Sequence, residues 1–272
     1  MSPPSSGPDR AALAAEGFGR RSEVYERSRP AYPPAAVSFL AQLAGLGVGR
    51  RVLDLAAGTG KLTRQLLATG AACVAVEPSA DMRAVCRRVV PAARVVAGTA
   101  EAIPLAGGSV DLLTVAQAFH WFDAEVALGE MARVLRTGGV VALVWNVRDE
   151  SVPWVADLGR IMAAVGRAPG ATPAELVATR PPAPLGAFEH HRFASATSVD
   201  RAGLVDLVSS RSYVNVLGDD ERARILGEVR EFAASLAEPI EVPYVTDVLS
   251  ARVGRGATVR SGVQDEAEKE GP

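Results

Sequence analysis

This sequence is poor in cysteine, in histidine, in net charge and in long apolar runs, and each shortage narrows what it can be. Only two cysteines occur in 272 residues. Cys73 falls in an apolar run that predicts a buried strand, and Cys86 falls on a predicted helix. They therefore read as two separate buried thiols, not a disulfide. Of the three histidines, His190 and His191 are neighbours on a predicted strand and should face opposite ways. No His/Cys/Asp cluster has metal-ligand spacing, so no metal site is expected. No apolar stretch approaches the ~20 residues that span a bilayer. The start, Met1-Ser2-Pro3-Pro4-Ser5-Ser6-Gly7-Pro8, lacks the charged and apolar regions of a secretory signal. A formal net charge of −2 gives no electrostatic footprint for nucleic acid or for a membrane face. These shortages predict a cytoplasmic protein whose partners are small molecules.

An apolar fraction of 48% is ample for a sizeable core, and the length suits one α/β domain with an added cap. Apolar runs alternate with amphipathic segments. Strands are predicted over 51–56, 72–76, 94–97, 110–116 and 140–146, and helices over 60–69, 79–90 and 123–136. Ser79 and Asp123 stand where N-caps belong, and Pro34 suits the first turn of a preceding helix that Gly45 ends. Strands alternating with helices predict a parallel sheet with right-handed crossovers.

The densest chemistry lies at Asp54-Leu55-Ala56-Ala57-Gly58-Thr59-Gly60, between the first strand and its helix. Small residues there let backbone approach a ligand, and helix N–H groups point at its negative part. Glu77 ends the second strand, where a carboxylate can accept both hydroxyls of a ribose. Two familiar phosphate motifs fail. The dinucleotide fingerprint needs glycines at 56, 58 and 61, and the chain has Ala56 and Lys61. The triphosphate loop needs Gly at 55 and Ser or Thr at 62, and the chain has Leu55 and Leu62. What remains is a turn for a nucleoside without pyrophosphate. Ala56 is a mild departure from glycine if its φ is negative and a costly one if φ is positive.

Val52 to Gly60 resembles the first motif of class I S-adenosylmethionine-dependent methyltransferases. Glu77 matches that family's ribose acid, Gly98 to Leu105 its adenine loop, Ser109 to Val115 its fourth strand, and Val134 to Leu143 the turn into its fifth. The core resemblance covers roughly 50–147. Phe18-Gly19, Tyr25, Arg29-Pro30-Ala31-Tyr32-Pro33, Phe119-His120-Trp121-Phe122 and Trp145-Asn146-Val147-Arg148 resemble a trans-aconitate-methyltransferase-like subgroup.

The resemblance implies a doubly wound, mostly parallel seven-stranded α/β sheet of the Rossmann-like methyltransferase kind. An antiparallel seventh strand would be inserted before the sixth, with 188–194 and 240–249 as the candidates. It implies S-adenosylmethionine as cofactor, held by Tyr25, Arg29, Asp54, Ala56, Gly58, Gly60, Glu77, Pro78, Met82, Ala100, Glu101 and Gln117. Asp54 would bind the cofactor's ammonium or orient the loop, and Met82 would pack on adenine or in the core. Tyr32, Trp121, Phe122, Arg148 and Tyr213 are candidate substrate contacts. His120 is the candidate base, or else a brace for the lid. Glu77→Ala should weaken cofactor binding and leave the stability of the free protein nearly unchanged.

The expected organisation is a disordered tail over 1–10, a helical lid over 11–49, the cofactor core over 50–150, a part completing the sheet and cap over 151–253, and a disordered tail over 254–272. Within the last part, a helix is predicted from Pro153 to Val165, a loop over 166–186, a strand from Phe188 to Phe193, a helix from Val199 to Val208 and a helix capped by Asp219-Asp220. Pro243 places the final strand at an edge or at an irregularity. The expected activity is methyl transfer to a small acceptor with an O or N nucleophile, a carboxylate being favoured. The alternatives are a non-methylating reaction at the same cofactor site, such as a cyclisation, and a non-catalytic cofactor-binding regulator.

Overall fold

Seven strands make one sheet, in the order β3-β2-β1-β4-β5-β7-β6; the central β1, β4 and β5 are apolar and buried on both faces, whereas the edge strands β3 and β6 have no buried residue. The computed structural model describes residues 29–163, 184–211, 214 and 217–254. The expectations for 1–28, which include Tyr25, for most of 166–186, for Tyr213 and for 255–272 lie outside those residues. The elements run α1 (Pro34–Ala44), β1 (Arg51–Leu55), α2 (Lys61–Leu67), β2 (Ala72–Val76), α3 (Ala80–Val89), β3 (Arg94–Val96) and β4 (Val110–Ala116). A 3₁₀ turn (Phe119–Trp121) leads to α4 (Ala124–Val134), β5 (Leu135–Arg148) and α5 (Pro153–Ala163). Then come β6 (Glu189–Val199), α6 (Arg201–Ser209), α7 (Asp219–Ala234) and β7 (Ile240–Arg252).

Side chains alternate along each strand, and both sets find a core. Leu53, Leu55, Leu113, Val115, Val141 and Leu143 meet Leu128 and Met131 of α4 on one face. Val52, Leu112, Val140, Ala142 and Val144 meet Leu40 of α1 and Leu62 and Leu66 of α2 on the other. This two-sided burial is why the strands read as continuous apolar runs. A third cluster joins α5, α6 and α7 to the first half of β7 through Leu158, Leu204, Val229 and Val242. The predicted caps are present: Ser79 accepts from the Met82 N–H and Asp123 from the Val126 N–H. Both cysteines are buried and free.

β1 to β4 and β5 are parallel, while β7 runs antiparallel between β5 and β6. The final strand is therefore the inserted one, and Pro243 lies in the sheet's interior, not at an edge. The register explains why it is tolerated. The Pro243 carbonyl accepts from the Asp149 N–H, so its nitrogen also points toward β5, just past the last paired residues, Arg148 and Tyr244. No ladder hydrogen bond is lost there.

Several boundaries differ from expectation. The helix predicted over 123–136 ends at Val134, and the strand predicted over 140–146 runs from Leu135 to Arg148. β6 continues to Val199 because its whole length pairs with β7, although Ser195 to Ser198 carry no strong apolar pattern. The following helix starts at Arg201 with Asp200 as its cap. The cap of α7 is Gly218, and Asp219 and Asp220 occupy its first turn, where negative charge suits the helix dipole.

The loop after β1 carries the backbone strain. Ala56 has φ 53° and Gly58 φ 59°, so the departure from glycine at Ala56 is the costly kind. Gly60 has φ 86° and caps α2. A Cβ at Gly60 would lie 2.7 Å from Val90 Cγ2 and 2.8 Å from Cys86 Sγ, whereas one at Gly58 would meet nothing within 4 Å. Gly60 thus permits close packing of the loop on α3, and Gly58 leaves open space. Ala56→Gly should raise stability by about 1 kcal/mol by relieving the left-handed conformation. Gly60→Ala should lower it by about 2–3 kcal/mol through strain and overpacking. Urea unfolding of the two variants beside the parent measures both.

Candidate functional site

The sheet reverses direction of winding between β1 and β4, and a crevice opens outside the carboxyl ends of these two strands. This is where an open α/β sheet takes its ligand. The crevice has two lobes that share Ala56, Gly58, Ala116 and Gln117. Among the described residues, both non-glycine residues with positive φ, Ala56 at 53° and Gln117 at 60°, lie at this junction. Gln117 is held by its N–H on the Val144 carbonyl and by Nε2 on the Asn146 carbonyl, at 3.0 Å.

The first lobe is an open cleft of about 790 Å³, solvent at its mouth included. Met82, Ala100, Trp121 and Phe122 supply apolar wall, and Glu77, Pro78 and Glu101 line it beside them. Glu77 is 6% exposed. Its Oε2 accepts the Gly58 N–H and its Oε1 the Ser79 N–H, each at 2.9 Å. Burial pushes its carboxyl up from the ordinary value, against the pull of those two N–H groups and of Arg83. Each oxygen retains a second lone pair, which fits a vicinal diol. Glu101 lines the lobe and also accepts the Asp123 N–H at 3.1 Å, which fastens the adenine-type loop to the start of α4. An apolar slot with a fixed carboxylate has the chemistry to take a nucleoside.

The second lobe is different in kind. Arg29, Lys61 and Arg211 line it, with Tyr32, Asn146 and Tyr244. Its one acid is Asp54, whose Oδ2 accepts from Thr63 Oγ1 at 2.6 Å and Oδ1 from Thr114 Oγ1 at 2.8 Å. Burial raises the Asp54 carboxyl to about 6, against those hydroxyls. Asp54 therefore ties β1 to α2 and β4 and orients the loop. The segment over this lobe is fastened by one side chain of α2 and one of β5. Gln65 Oε1 accepts the Tyr32 N–H at 3.0 Å, Gln65 Nε2 donates to the Tyr32 carbonyl at 2.7 Å, and Asn146 Nδ2 donates to the Ala31 carbonyl at 3.2 Å. Arg29 Nη2 donates to the Ser210 carbonyl at 3.2 Å.

Most of the expected site residues converge here. Arg29, Tyr32, Asp54, Ala56, Gly58, Glu77, Pro78, Met82, Ala100, Glu101, Gln117, Trp121 and Phe122 all line a lobe. Three do not. Gly60 packs on α3 instead of approaching a ligand. His120 is exposed, because the 3₁₀ turn that buries Phe119 turns it outward, and its ring lies 5.0 Å from that of Trp121. Arg148 is buried at the end of β5 beside Tyr244 and lines neither lobe. Lys61, Asn146, Arg211 and Tyr244 were not foreseen as site residues. The last two reach the lobe from distant parts of the chain, and only the closing of β7 onto β5 brings Tyr244 there.

A methyltransferase domain family matches residues 53–143. An uncharacterized methyltransferase of Mycobacterium tuberculosis is 42% identical over 234 residues, covering 84% of this chain and 92% of that one. Malonyl-[acyl-carrier protein] O-methyltransferase of Pectobacterium atrosepticum is 35% identical over 129 residues, covering 47% of this chain and 51% of that one. A candidate type II methyltransferase from Anaeromyxobacter dehalogenans shares the fold at a TM-score of 0.61 and 24% identity, covering 83% of this chain and 98% of that one.

Two substitutions test the carboxylates. Asp54 titrates near 6 when folded and near 3.8 when unfolded, so the folded state holds the extra proton between those values. Its contribution to stability is fully present below the lower value and is lost as pH rises through the upper one, by up to about 3 kcal/mol. The stability of Asp54→Asn relative to the parent should therefore climb between pH 4 and pH 6; denaturant midpoints at both pH values measure it. Glu77 holds two backbone N–H groups as well as a ligand position, which revises the expectation that its loss spares stability. Glu77→Ala should lower the stability of the free protein by about 2 kcal/mol or more, from orphaned donors; thermal unfolding checks this.

Proposed function

Because this chain belongs to the family of class I methyltransferases, we propose that it transfers the methyl group of S-adenosylmethionine to a small carboxylate held in the second lobe. The observation that carries this reading is the continuity of a nucleoside slot with a cation-lined lobe through Gly58 and Gln117. Glu77 fits the ribose hydroxyls, Met82, Ala100 and Phe122 fit the adenine, and Gly58 leaves room for the backbone to approach the amino-acid end, with Arg29 for its carboxylate. Among the described lining residues, Lys61 and Arg211 then remain for an anionic acceptor.

When bound, the sulfonium cofactor supplies a methyl group already activated by positive sulfur. The protein's task is to hold the nucleophile in line and to keep water away. Lys61 and Arg211 attract the anion and orient it. Tyr32, fixed by Gln65, covers the lobe. A carboxylate carries no proton to lose, so no base is required. That suits a lobe whose one described acid, Asp54, already accepts two threonine hydroxyls, and it suits the outward position of His120. The Pectobacterium relative is by name an O-methyltransferase of a malonyl group, an acid, which supports an oxygen acceptor. We propose the setting as cytoplasmic; no described helix is long and apolar enough to cross a membrane.

The test is a screen of carboxylic acids, phenols and amines with methyl-labelled cofactor. The expected products are methyl esters, whose label is released as methanol by mild alkali, unlike the label of ethers or methylamines. Alkali-stable label as the sole product would overturn the carboxylate reading. Glu77→Ala should weaken S-adenosylhomocysteine at least tenfold by calorimetry, since a charge-assisted hydrogen bond contributes about 1.5–3 kcal/mol.

A further inference from the structure

The second lobe contains a feature that cofactor binding does not use. Tyr244 lines it and is 2% exposed. Its hydroxyl is buried and has no hydrogen-bond partner among the described residues. Nε of Arg211, which lines the same lobe, is likewise buried and unpartnered among them. Buried polar atoms are nearly always bonded, and an orphan is costly. Phenylalanine at 244 would fill the same space without that cost. Tyr244 sits in the third apolar cluster, among Val242, Leu158 and Leu204, surroundings that by themselves favour Phe. The same lobe holds Arg29 and Asn146, both hydrogen-bonded to backbone carbonyls. Tyr244 Oη and Arg211 Nε bring buried donors to this lobe from β7 and from the turn after α6.

We propose that Tyr244 and Arg211 form the acceptor's carboxylate clamp, with Tyr244 Oη and Arg211 Nε donating to the two oxygens of one anion. This rests on the carboxylate reading above and assigns the residues that recognise the acid. Tyr244 only donates a hydrogen bond; no covalent bond to it forms or breaks. A site built around donors rejects analogues that bring none of the acceptor's oxygens, because its buried donors would stay unpaired. The clamp therefore selects carboxylates over amines, and the guanidinium charge favours the anion over an uncharged ester, because hydrogen bonds between ionised groups are the stronger ones.

The experiment uses the full chain saturated with S-adenosylhomocysteine. A panel of aliphatic mono-, di- and tricarboxylates is titrated into it by calorimetry, and the tightest acid is carried to Tyr244→Phe and Arg211→Gln. Tyr244→Phe should weaken that acid ~10-fold or more, the effect of one hydrogen bond to a charged group. Arg211→Gln should weaken it at least as much. Neither should change S-adenosylhomocysteine affinity more than about twofold, a margin far inside the tenfold that 1.4 kcal/mol represents. The melting temperature of unliganded Tyr244→Phe should stay level or rise, because an orphan hydroxyl has been removed. Under turnover the loss should appear in the Michaelis constant for the acid. Equal binding of the acid by parent and Tyr244→Phe overturns the clamp and leaves the carboxylate reading standing. A fall of several degrees in the melting temperature of Tyr244→Phe makes the hydroxyl structural and also overturns the clamp. A parent that binds no acid yet methylates amines or phenols overturns the carboxylate reading, and the clamp with it.

Discussion

The carboxylate of Glu77 holds the site together before any ligand arrives. Its two oxygens accept N–H groups from two different turns, Gly58 after β1 and Ser79 before α3. The distance between the strained loop and the neighbouring βα turn is thereby fixed. Ser79 in turn caps α3, and α3 presents Cys86 and Val90 to the space where Gly60 has no side chain. One buried acid thus links loop, cap and helix packing. Burial raises its pKa while two backbone N–H donors and the charge of Arg83 oppose that, a balance that tolerates the charge only because each oxygen is already bonded.

Asp54 works in the perpendicular sense. Its threonine contacts reach one residue on α2 and one on β4, across the point where the winding reverses. Together the two acids brace the crevice along and across the sheet. The opposite end of the sheet is secured separately. Asp111 at the start of β4 accepts from the Arg51 N–H and from the guanidinium groups of Arg50 and Arg136. Burial works against its charge, yet those donors hold its carboxyl below the usual range.

The core of the fold was legible because its signals are local. Period and turn chemistry placed β1, β2 and β4 almost to the residue, and the caps at Ser79 and Asp123 were readable from residue type alone. Glu77 was legible through its place at the end of the second apolar run, and Ala100 and Glu101 through the family resemblance of the loop 98–105. His120 was not, because a three-residue turn decides which of Phe119, His120 and Trp121 is buried, and all three carry aromatic rings. Tyr244 and Arg211 were illegible for a different reason. Their value depends on where β7 and the turn after α6 land, and no local pattern marks a tyrosine whose hydroxyl has no neighbour. Pro243 misled because its position in the register, beyond the paired end of β5, is a tertiary fact.

The insertion of β7 between β5 and β6 has a consequence for biosynthesis. β5 is translated long before β7, and its Val140–Arg148 edge has no partner on that side until β7 arrives. β6 pairs with nothing else in the sheet. During elongation at about 5–20 residues per second, the nascent chain therefore carries an open, apolar sheet edge that only its own late strand can close. Such an edge invites pairing with other chains. The walls of the second lobe are completed by the same event, so a ribosome-bound chain can form the first lobe before it can form the second.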